Sequence, residues 1–486
     1  MHKDSVILVF SGLLVLFISI TLEVLSRKRI LPQWIGRKLL HISAVSTCAL
    51  VPLYLEDLML LQWIVVIAEL FLIYLVWKGF LFEEEHKRKS WGIALFPLPF
   101  IAFLFLFEEQ RWLISFPMLI LAWCDAVAAI VGIALAKRYF SMSGDPKSLA
   151  GSLAFFISSV FLFLFVRFGF FPLFPNWIDV PFTSFILVAA LFSIILSAVE
   201  ALGSQGSDNL FIPIAAVLLF LRMDEVLAHI HAFSILVLLA GLFIFITIRK
   251  KSLSLSGAFT AAFMGISVAE FAGVEWLILP AVFFLSSTLI GRIIKGKTSH
   301  GDTKQGKARD AVQVVCNGGV YWVMAILLPY FPELSLAMIV SMAIATSDTW
   351  ASEIGIGLKG KTYDIIRWKS LPVGVSGGVS LGGSIAGLFG SVLIVFISIY
   401  LTKLSIFTSI LLASLGFIGM LLDSIIGSVF QAKYLSSEGL SDGKVGKQSQ
   451  LISGYSWMSN DWVNLISNIL ITALLFSIIH FGGLAF

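Results

Sequence analysis

Sixteen apolar runs, most of them close to the length of a bilayer crossing, dominate the sequence. A transmembrane helix needs about 20 predominantly apolar residues, because the hydrocarbon core is about 30 Å thick. The runs lie near residues 6–25, 39–54, 58–77, 91–107, 112–135, 150–171, 182–199, 209–221, 228–248, 256–272, 274–294, 311–330, 334–358, 376–399, 405–430 and 461–482. They predict an all-α, polytopic integral membrane protein with about 16 transmembrane helices.

The composition indicates the same class. Hydrophobic residues make up 58% of the 486 residues and charged residues 13%, whereas a soluble domain carries about 25% charged residues. An ordinary soluble enzyme, a disordered chain and a disulfide scaffold are therefore excluded. The three cysteines stand in apolar runs without metal-type spacing, and the net charge of +4 is too small to indicate a nucleic-acid partner.

The distribution of Lys and Arg predicts the orientation in the membrane, because cytoplasmic connections carry the excess of basic residues. With the N-terminus outside, the connections that become cytoplasmic hold 28 of the 33 basic residues. The exceptions are Lys3, Arg111, Arg167, Arg222 and Lys403. We therefore predict that both termini lie outside and that the polar, glycine-rich connections face the cytosol. In a prokaryote the membrane is then the inner or plasma membrane.

Two intramembrane aspartates, Asp125 and Asp348, have matching surroundings. Small residues follow each of them at i+3, i+4 and i+7: Ala128, Ala129 and Gly132 in the first case, Ala351, Ser352 and Gly355 in the second. That spacing places the acid and the small residues on one helix face. A loop with Lys, Ser and Gly follows each helix, at residues 147–152 and 369–380. We predict two related catalytic halves that join near residue 225.

A carboxylate at a helix centre costs about 2.5–3.5 kcal/mol on insertion scales and marks a functional site. Phosphoryl transfer needs carboxylates to hold Mg²⁺ and cations to contact the phosphates. A lipid alcohol from the bilayer and a nucleoside triphosphate from the cytosol meet at the cytoplasmic surface, where these loops are predicted. The carboxylates in question are Asp125, Glu200 and Asp208 in the first half, and Asp348, Glu353 and Asp423 in the second.

Several simpler interpretations remain open. A transmembrane acid paired with Lys or Arg can serve only to hold helices together, and His41 can serve only in helix packing. Asp348 and Glu353 lie about 140° apart on an ideal helix, so a shared ion requires a helix break, which Gly355 and Gly357 permit. Residues 291–298 fit the Walker A string, but they follow an apolar run rather than a buried strand, so we expect no P-loop there.

Residues 1–225 resemble the phytol kinase and dolichol kinase family, within the wider group that includes phosphatidate cytidylyltransferases. The motifs that carry the resemblance are RKxxH at residues 37–41, DxxAxxxG at 125–132, KSxxGSLAFF at 147–156 and DNxxIP at 208–213. The resemblance implies CTP-dependent phosphorylation of an isoprenoid alcohol. It implies roles in nucleotide and metal binding for Asp125, Lys147, Ser148, Asp208 and Asn209.

Residues 226–486 resemble the phytyl-phosphate kinase family, whose relatives include transmembrane protein 19. The motifs are longer here: GKARDAVQVVCNGG at residues 306–319, SDTWASEIG at 347–355, PVGVSGGVSLGG at 372–383, Asp423 with Gln431, and Asn460 with Asn464. This resemblance implies phosphorylation of a prenyl monophosphate to the diphosphate. A fusion of the two halves implies two consecutive steps from a prenol to its diphosphate.

We therefore expect a bifunctional membrane kinase with Mg²⁺ and CTP or another nucleoside triphosphate, embedded in the lipid bilayer and acting on an isoprenoid alcohol and its phosphate. The predicted catalytic residues are Asp125, Lys147, Asp348, Glu353 and Asp423. The predicted nucleotide- or phosphate-binding residues are Arg37, Lys38, Ser148, Gly151, Ser152, Asn209, Arg309, Gln313, Asn317, Gly377, Gly378 and Ser380. The predicted metal ligands are Asp125, Asp208, Asp310, Asp348 and Asp423. Two alternatives stay open, a cytidylyltransferase that forms a CDP-lipid and a lipid-phosphate transporter or flippase.

Overall fold

The computed structural model describes residues 2–78, 92–135, 137–142, 144–169, 174–175, 177–295, 308–437, 439–444 and 449–482. Residues 296–298 of the Walker-like string and residues 306–307 of the first C-terminal motif lie outside these ranges. The chain forms two compact units, Met1–Leu239 and Ala240–Phe486.

The first unit consists mainly of helices, and a small antiparallel hairpin precedes the eighth helix. The helices are α1 (His2–Arg27), α2 (Gln33–Leu50), α3 (Met59–Trp77), α4 (Gly92–Leu95), α5 (Pro97–Leu106), α6 (Trp112–Ile120), α7 (Ala126–Leu135), α8 (Leu149–Arg167), α9 (Phe182–Leu202), α10 (Asp208–Leu221) and α11 (Met223–Ala228). Helix α12 (Ile230–Arg249) contains the boundary between the two units. The hairpin strands are β1 (Tyr139–Phe140) and β2 (Lys147–Ser148).

The core of the first unit contains an aromatic cluster around Phe116. Phe116 on α6 stacks on Phe220 of α10 with ring centroids 4.7 Å apart, and Phe163 of α8 meets Phe116 edge to face at 5.1 Å. Aromatic pairs in these offset or edge-to-face arrangements add about 0.5–1.5 kcal/mol beyond the area they bury. The cluster therefore fixes α6, α8 and α10 against one another beside the helix that carries Asp125.

The second unit consists of helices with two small antiparallel sheets. The helices are α13 (Leu255–Phe271), α14 (Ile278–Lys295), α15 (Ala311–Leu327), α16 (Leu334–Leu358), α17 (Leu381–Thr402), α18 (Ile406–Val429) and α19 (Asn460–Gly482). The strands are β3 (Thr362–Asp364), β4 (Ser370–Leu371), β5 (Gly378–Val379), β6 (Lys433–Ser436), β7 (Gly439–Ser441) and β8 (Gln450–Ser453), in the orders β4-β3-β5 and β7-β6-β8.

Helix α16 is the centre of the second unit, and α14, α15, α17, α18 and α19 all pack against it. Glycines let α17 approach α16 closely. A Cβ on Gly387 would lie 3.1 Å from the Ser347 carbonyl oxygen, and a Cβ on Gly390 would lie 3.1 Å from the Thr346 carbonyl oxygen. Small residues at such spacing are typical of tightly packed membrane helices. Asp348 therefore lies on the most enclosed helix of its unit.

The structure confirms the all-α, polytopic class. Eleven helices of the described residues are long and apolar enough to cross a membrane, and four further apolar helices are shorter, among them Asp208–Leu221 and Ala311–Leu327. Each of the sixteen predicted runs contains a helix. The one run not counted among these fifteen helices is the run near residues 39–54. It contains α2, whose 18 residues include a basic pair near the start.

Candidate active site

The same local structure surrounds both intramembrane aspartates. Ser148 caps α8 and its hydroxyl accepts a hydrogen bond from the Gly151 amide, while Ser380 caps α17 and accepts from the Gly383 amide. A serine in this position satisfies an amide that the first turn of a helix leaves without a partner. Ser380 is therefore the structural equivalent of Ser148, whereas the sequence comparison paired Ser148 with Ser370. Ser370 instead lies in strand β4.

A close helix contact completes the repeated unit. A Cβ on Gly132 would lie 2.9 Å from the Ser148 hydroxyl and 3.6 Å from the Gly151 Cα. A Cβ on Gly355 would lie 3.1 Å from the Ser380 hydroxyl and 3.5 Å from the Gly383 Cα. In each unit the small residue seven positions after the aspartate therefore brings the aspartate's helix against the capped end of the next helix.

Asp125 lies at the last position of a π-helical turn, Leu121–Asp125, between α6 and α7. Such turns are rare and occur frequently at functional sites. The side chain is buried, and its Oδ2 accepts a hydrogen bond from Lys38 Nζ at 3.0 Å. The structure thus brings a residue of the RKxxH motif on α2 to the first predicted catalytic acid.

Lys147 connects two further predicted acids of the first unit. Its Nζ lies 2.6 Å from Glu200 Oε1 and 3.3 Å from Asp208 Oδ2. Burial disfavours the charge of Lys147, but the attraction of Glu200 and Asp208 outweighs it and raises the pKa of the ammonium group. The other oxygen of Glu200, Oε2, is buried without a hydrogen-bond partner. Asp125 also contributes to the field at Lys147.

Two of the remaining predicted residues of the first unit, Asn209 and Gly151, have a packing role in the structure. The carboxamide of Asn209 donates to the Gly92 carbonyl at 2.9 Å, which holds the start of α10 against α4. The Ser152 hydroxyl is buried without a partner. Gly151 is required for packing, because a Cβ there would lie 2.9 Å from the Ala128 carbonyl oxygen. The phosphate-binding roles of these residues, and that of Arg37, remain predictions.

Asp348 and Asp423 lie on the packed helices α16 and α18, close enough to interact electrostatically. Asp423 is buried, and its Oδ2 accepts a hydrogen bond from the Ser467 hydroxyl at 3.1 Å. The carboxamide of Asn464 lies between that oxygen, at 3.0 Å, and the carboxamide of Asn317, at 3.1 Å. Four helices of the second unit therefore contribute carboxylate and carboxamide groups to one cluster.

The charges of the two sites differ. In the first unit, Lys38 and Lys147 pair with three carboxylates. In the second unit, the carboxylates of Asp348 and Asp423 form no ion pair with a Lys or Arg within the part of the chain that the structure describes. Two neighbouring carboxylates without a counter-charge repel each other, so this cluster favours the binding of a cation.

The helix break that Asp348 and Glu353 would need in order to share an ion does not occur. Helix α16 runs without interruption through both residues, so the two side chains leave it in different directions. Gly291 faces Glu353, because a Cβ on Gly291 would lie 3.5 Å from each carboxylate oxygen. Glu353 also stabilises the charge of Arg309. Gly357 serves helix packing, since its would-be Cβ lies 2.9 Å from Ile294.

Asp310 and Gln313 form a capping box at the start of α15. The Asp310 carboxylate accepts from the Gln313 amide at 3.0 Å, and the Gln313 side chain accepts from the Asp310 amide at 3.3 Å. The Arg309 backbone pairs with residues 252 and 254, and its guanidinium lies 5.7 Å from the ring centre of Phe283. The structure explains these residues by helix capping and packing, and the metal role of Asp310 remains a prediction.

The glycine-rich loop 372–378 packs on the end of α18. Gly377 has φ +80, which favours glycine, and a Cβ there would clash with the backbone of Ser428. Gly378 lies in strand β5 and its would-be Cβ would lie 2.6 Å from Thr362. Glycine is thus required at both positions because neighbouring atoms leave no room for a side chain. The contact of these glycines with phosphate remains a prediction.

Sequence reasoning did not identify a buried polar network beside this loop. The Ser428 hydroxyl lies 3.0 and 2.9 Å from the two Asp364 oxygens, and the buried Lys433 donates to the Ser428 carbonyl at 3.3 Å. Burial alone would raise the pKa of Asp364, but the Arg367 amide and the Ser428 hydroxyl hold it below its usual value. Ser467 was also missed, although its position three residues after Asn464 puts both on one helix face.

The two sites differ in their fit to Mg²⁺, which is held by one or two carboxylates with phosphate oxygens and water. Asp348 and Asp423, with the neighbouring Asn464 and Asn317, match that donor chemistry. In the first unit each carboxylate already faces a lysine, so Asp125 and Asp208 fit a metal poorly in this arrangement. Among the described residues, no group of three or more His, Cys, Asp and Glu side chains has metal-site geometry.

Comparison with known proteins identifies relatives among membrane proteins. A family model described as integral membrane protein DUF92 matches residues 238–472. Protein PGR of Arabidopsis thaliana is 30% identical over 272 residues, which cover 50% of this chain and 94% of the plant protein. An uncharacterized membrane protein of Methanocaldococcus jannaschii is 30% identical over 188 residues, 38% of this chain and 77% of the other. Protein VTE6, chloroplastic, of Arabidopsis thaliana is 27% identical over 224 residues, 44% of this chain and 62% of that protein. No solved structure matches the chain significantly.

Proposed function

This chain belongs to the DUF92 family of integral membrane proteins, and from that premise we propose that it is a bifunctional kinase of isoprenoid alcohols. The first unit transfers a phosphoryl group from CTP or another nucleoside triphosphate to a prenol. The second unit phosphorylates the resulting prenyl monophosphate to the diphosphate. The similarity to protein VTE6 and protein PGR supports a place in the same family, and the reaction is inferred from the two sites.

The observation that carries the proposal is the different charge of two sites with one local architecture. Lys38 and Lys147 place two positive charges among the acids of the first unit, whereas Asp348 and Asp423 have no such counter-charge among the described residues of the second unit. Phosphoryl transfer is mostly positioning and neutralisation of charge. A site with lysines suits an uncharged alcohol and one nucleotide. A site with unpaired acids suits two phosphate-bearing substrates with a bound cation between them.

In the first unit, the lysines are the groups that contact the transferred phosphate. Lys147 exchanges part of its contact with Glu200 and Asp208 for a phosphate oxygen, and Lys38 holds Asp125 in its ionised form. The prenol lies in the bilayer with its hydroxyl at the level of this cluster. Since the polar loops are the predicted cytoplasmic ones, we propose that the nucleotide enters from the cytosol.

In the second unit, Asp348 and Asp423 would hold the metal ion, with the carboxamides of Asn464 and Asn317 beside them. When bound, Mg²⁺ neutralises phosphate oxygens and orients the triphosphate. The Ser467 hydroxyl donates to Asp423 and thereby fixes the direction of that carboxylate. The prenyl phosphate reaches the cluster as an anion, which is itself a competent nucleophile.

The test is an assay of the purified full-length protein in lipid nanodiscs with phytol, geranylgeraniol or farnesol and CTP labelled at one phosphorus. A kinase places label from γ-labelled CTP in the lipid and none from α-labelled CTP. Label from α-labelled CTP in the lipid would instead indicate a CDP-lipid-forming cytidylyltransferase. Movement of a lipid phosphate across proteoliposomes without nucleotide, together with unlabelled lipid, would indicate a transporter.

A further inference from the structure

His41 lies on α2 one turn after Lys38, so both side chains leave the same face of the helix. The backbone of Leu121 acts on its imidazole, while its Nε2 is buried without a hydrogen-bond partner. In the neutral imidazole with the proton on Nδ1, Nε2 has a lone pair that can accept a proton.

The partner of His41 belongs to the turn that carries the catalytic acid. Leu121 is the first residue of the π-helical turn and Asp125 is the last. One irregular turn therefore positions both the imidazole and the carboxylate. A buried acceptor without a donor is unfavourable, and a bound ligand with a hydroxyl group would supply the missing hydrogen bond.

The electrostatic surroundings of His41 are those of the first site. The charged groups that act on the imidazole are Asp125 from the π-helical turn, Lys38 from α2 and Asp208 from the start of α10. Two of them, Asp125 and Asp208, also act on Lys147. The unpartnered nitrogen thus belongs to the cluster at which the prenol hydroxyl must arrive.

We infer that His41 Nε2 accepts the proton of the prenol hydroxyl and is the general base of the first phosphorylation. The inference rests on the proposed function and adds a residue to it. The prenol oxygen forms a bond to the γ-phosphorus of the nucleotide, and the bond from that phosphorus to the β–γ bridging oxygen breaks. The electron pair leaves with the nucleoside diphosphate, and the hydroxyl proton moves to Nε2 and then to water.

The second unit supports this assignment by contrast. Its cluster of Asp348, Asp423, Asn464, Asn317 and Ser467 contains no histidine among the described residues. A phosphate monoester has a second pKa of about 6 and is largely dianionic at neutral pH. It therefore attacks without losing a proton to the protein. An alcohol needs a base, and a prenyl phosphate does not.

The experiment measures both steps in the full-length protein in nanodiscs, with phytol for the first and phytyl phosphate for the second. A general base contributes about 10²–10⁴-fold, so His41→Gln and His41→Ala should lose about that factor in kcat with phytol while KM stays within about twofold. Exogenous imidazole should restore part of the rate of His41→Ala and leave His41→Gln unchanged. Both variants should phosphorylate phytyl phosphate at the wild-type rate, which also shows that they are folded.

Ser43→Ala is the matched control, because the Ser43 hydroxyl lies on the same helix and donates to the Leu40 carbonyl of that helix. It should retain both rates. The inference is overturned if His41→Gln keeps the wild-type kcat with phytol, or if imidazole fails to rescue His41→Ala while the second step is intact. A wild-type protein inactive towards every prenol would instead overturn the proposed function.

Discussion

Gly383 and Ala351 approach so closely that a Cβ on the glycine would lie 2.7 Å from the alanine carbonyl oxygen. In the first unit, Gly151 stands in the same relationship to Ala128, with 2.9 Å between the corresponding atoms. Both contacts join the helix that carries the aspartate to the helix that begins at the capping serine. The distance between these helices therefore sets the width of each site.

Gly383→Ala should destabilise the protein, because the added methyl group meets backbone that cannot move aside as a flexible side chain would. Overpacking of this kind costs about 1–3 kcal/mol. The measurement is thermal unfolding in detergent, with Gly360→Ala as the control, since a Cβ on Gly360 meets nothing within 4 Å. Equal melting temperatures for Gly383→Ala and the control would show that the two helices are not held at this distance.

Lys147→Met should destabilise the first unit, because Glu200 and Asp208 lose their counter-charge in a buried place. Breaking such a pair costs about 3–5 kcal/mol. The pKa of Lys147 is raised in the folded protein, so its contribution to stability is complete below the unfolded pKa of about 10.4 and is lost only as the pH rises through the still higher folded pKa.

The difference in melting temperature between wild type and Lys147→Met should therefore stay constant from about pH 7 to pH 10. Lys137→Met is the control, because Lys137 is exposed and lies two residues before the first hairpin strand, β1, and this variant should melt like the wild type. A difference that closes below pH 9 would mean that Lys147 loses its proton early and that the carboxylates do not hold it.

The sequence predicts the parts of this molecule that depend on local pattern. The length of the apolar runs predicts the helices, and the spacing of small residues after Asp125 and Asp348 predicts the two close helix contacts. The partner of Asp125 could not be predicted, because Lys38 is separated from it by 87 residues. The capping box of Asp310 and Gln313 was open to prediction, since an acid followed three residues later by Gln is its signature.

Two sequence interpretations failed for identifiable reasons. The loop with Lys369 and Ser370 was matched to residues 147–152, but a three-stranded sheet is inserted there and moves the equivalent serine to position 380. The glycines at 355 and 357 were taken to permit a helix break, whereas they serve contact with neighbouring side chains. Glycine in a membrane helix indicates close packing at least as often as flexibility.

Two of the five basic residues outside the predicted cytoplasmic connections donate hydrogen bonds to backbone carbonyls. Arg111 donates to the carbonyls of Pro52 and Glu56, each at 3.0 Å. Arg167 is buried and donates to the Val180 carbonyl at 2.7 Å. Both guanidinium groups hydrogen-bond backbone carbonyls of the connections between helices. This structural role explains why the two arginines lie outside the predicted cytoplasmic connections.

The central claim is that Asp125 serves the first phosphorylation and Asp348 the second. The most direct measurement is the mass of the products that the wild type, Asp125→Asn and Asp348→Asn form from phytol and from phytyl phosphate with CTP. The wild type should yield the diphosphate from both substrates. Asp348→Asn should accumulate the monophosphate from phytol, and Asp125→Asn should leave phytol unchanged while still converting the monophosphate to the diphosphate. Loss of both steps to the same degree in both variants would contradict the division into two sites.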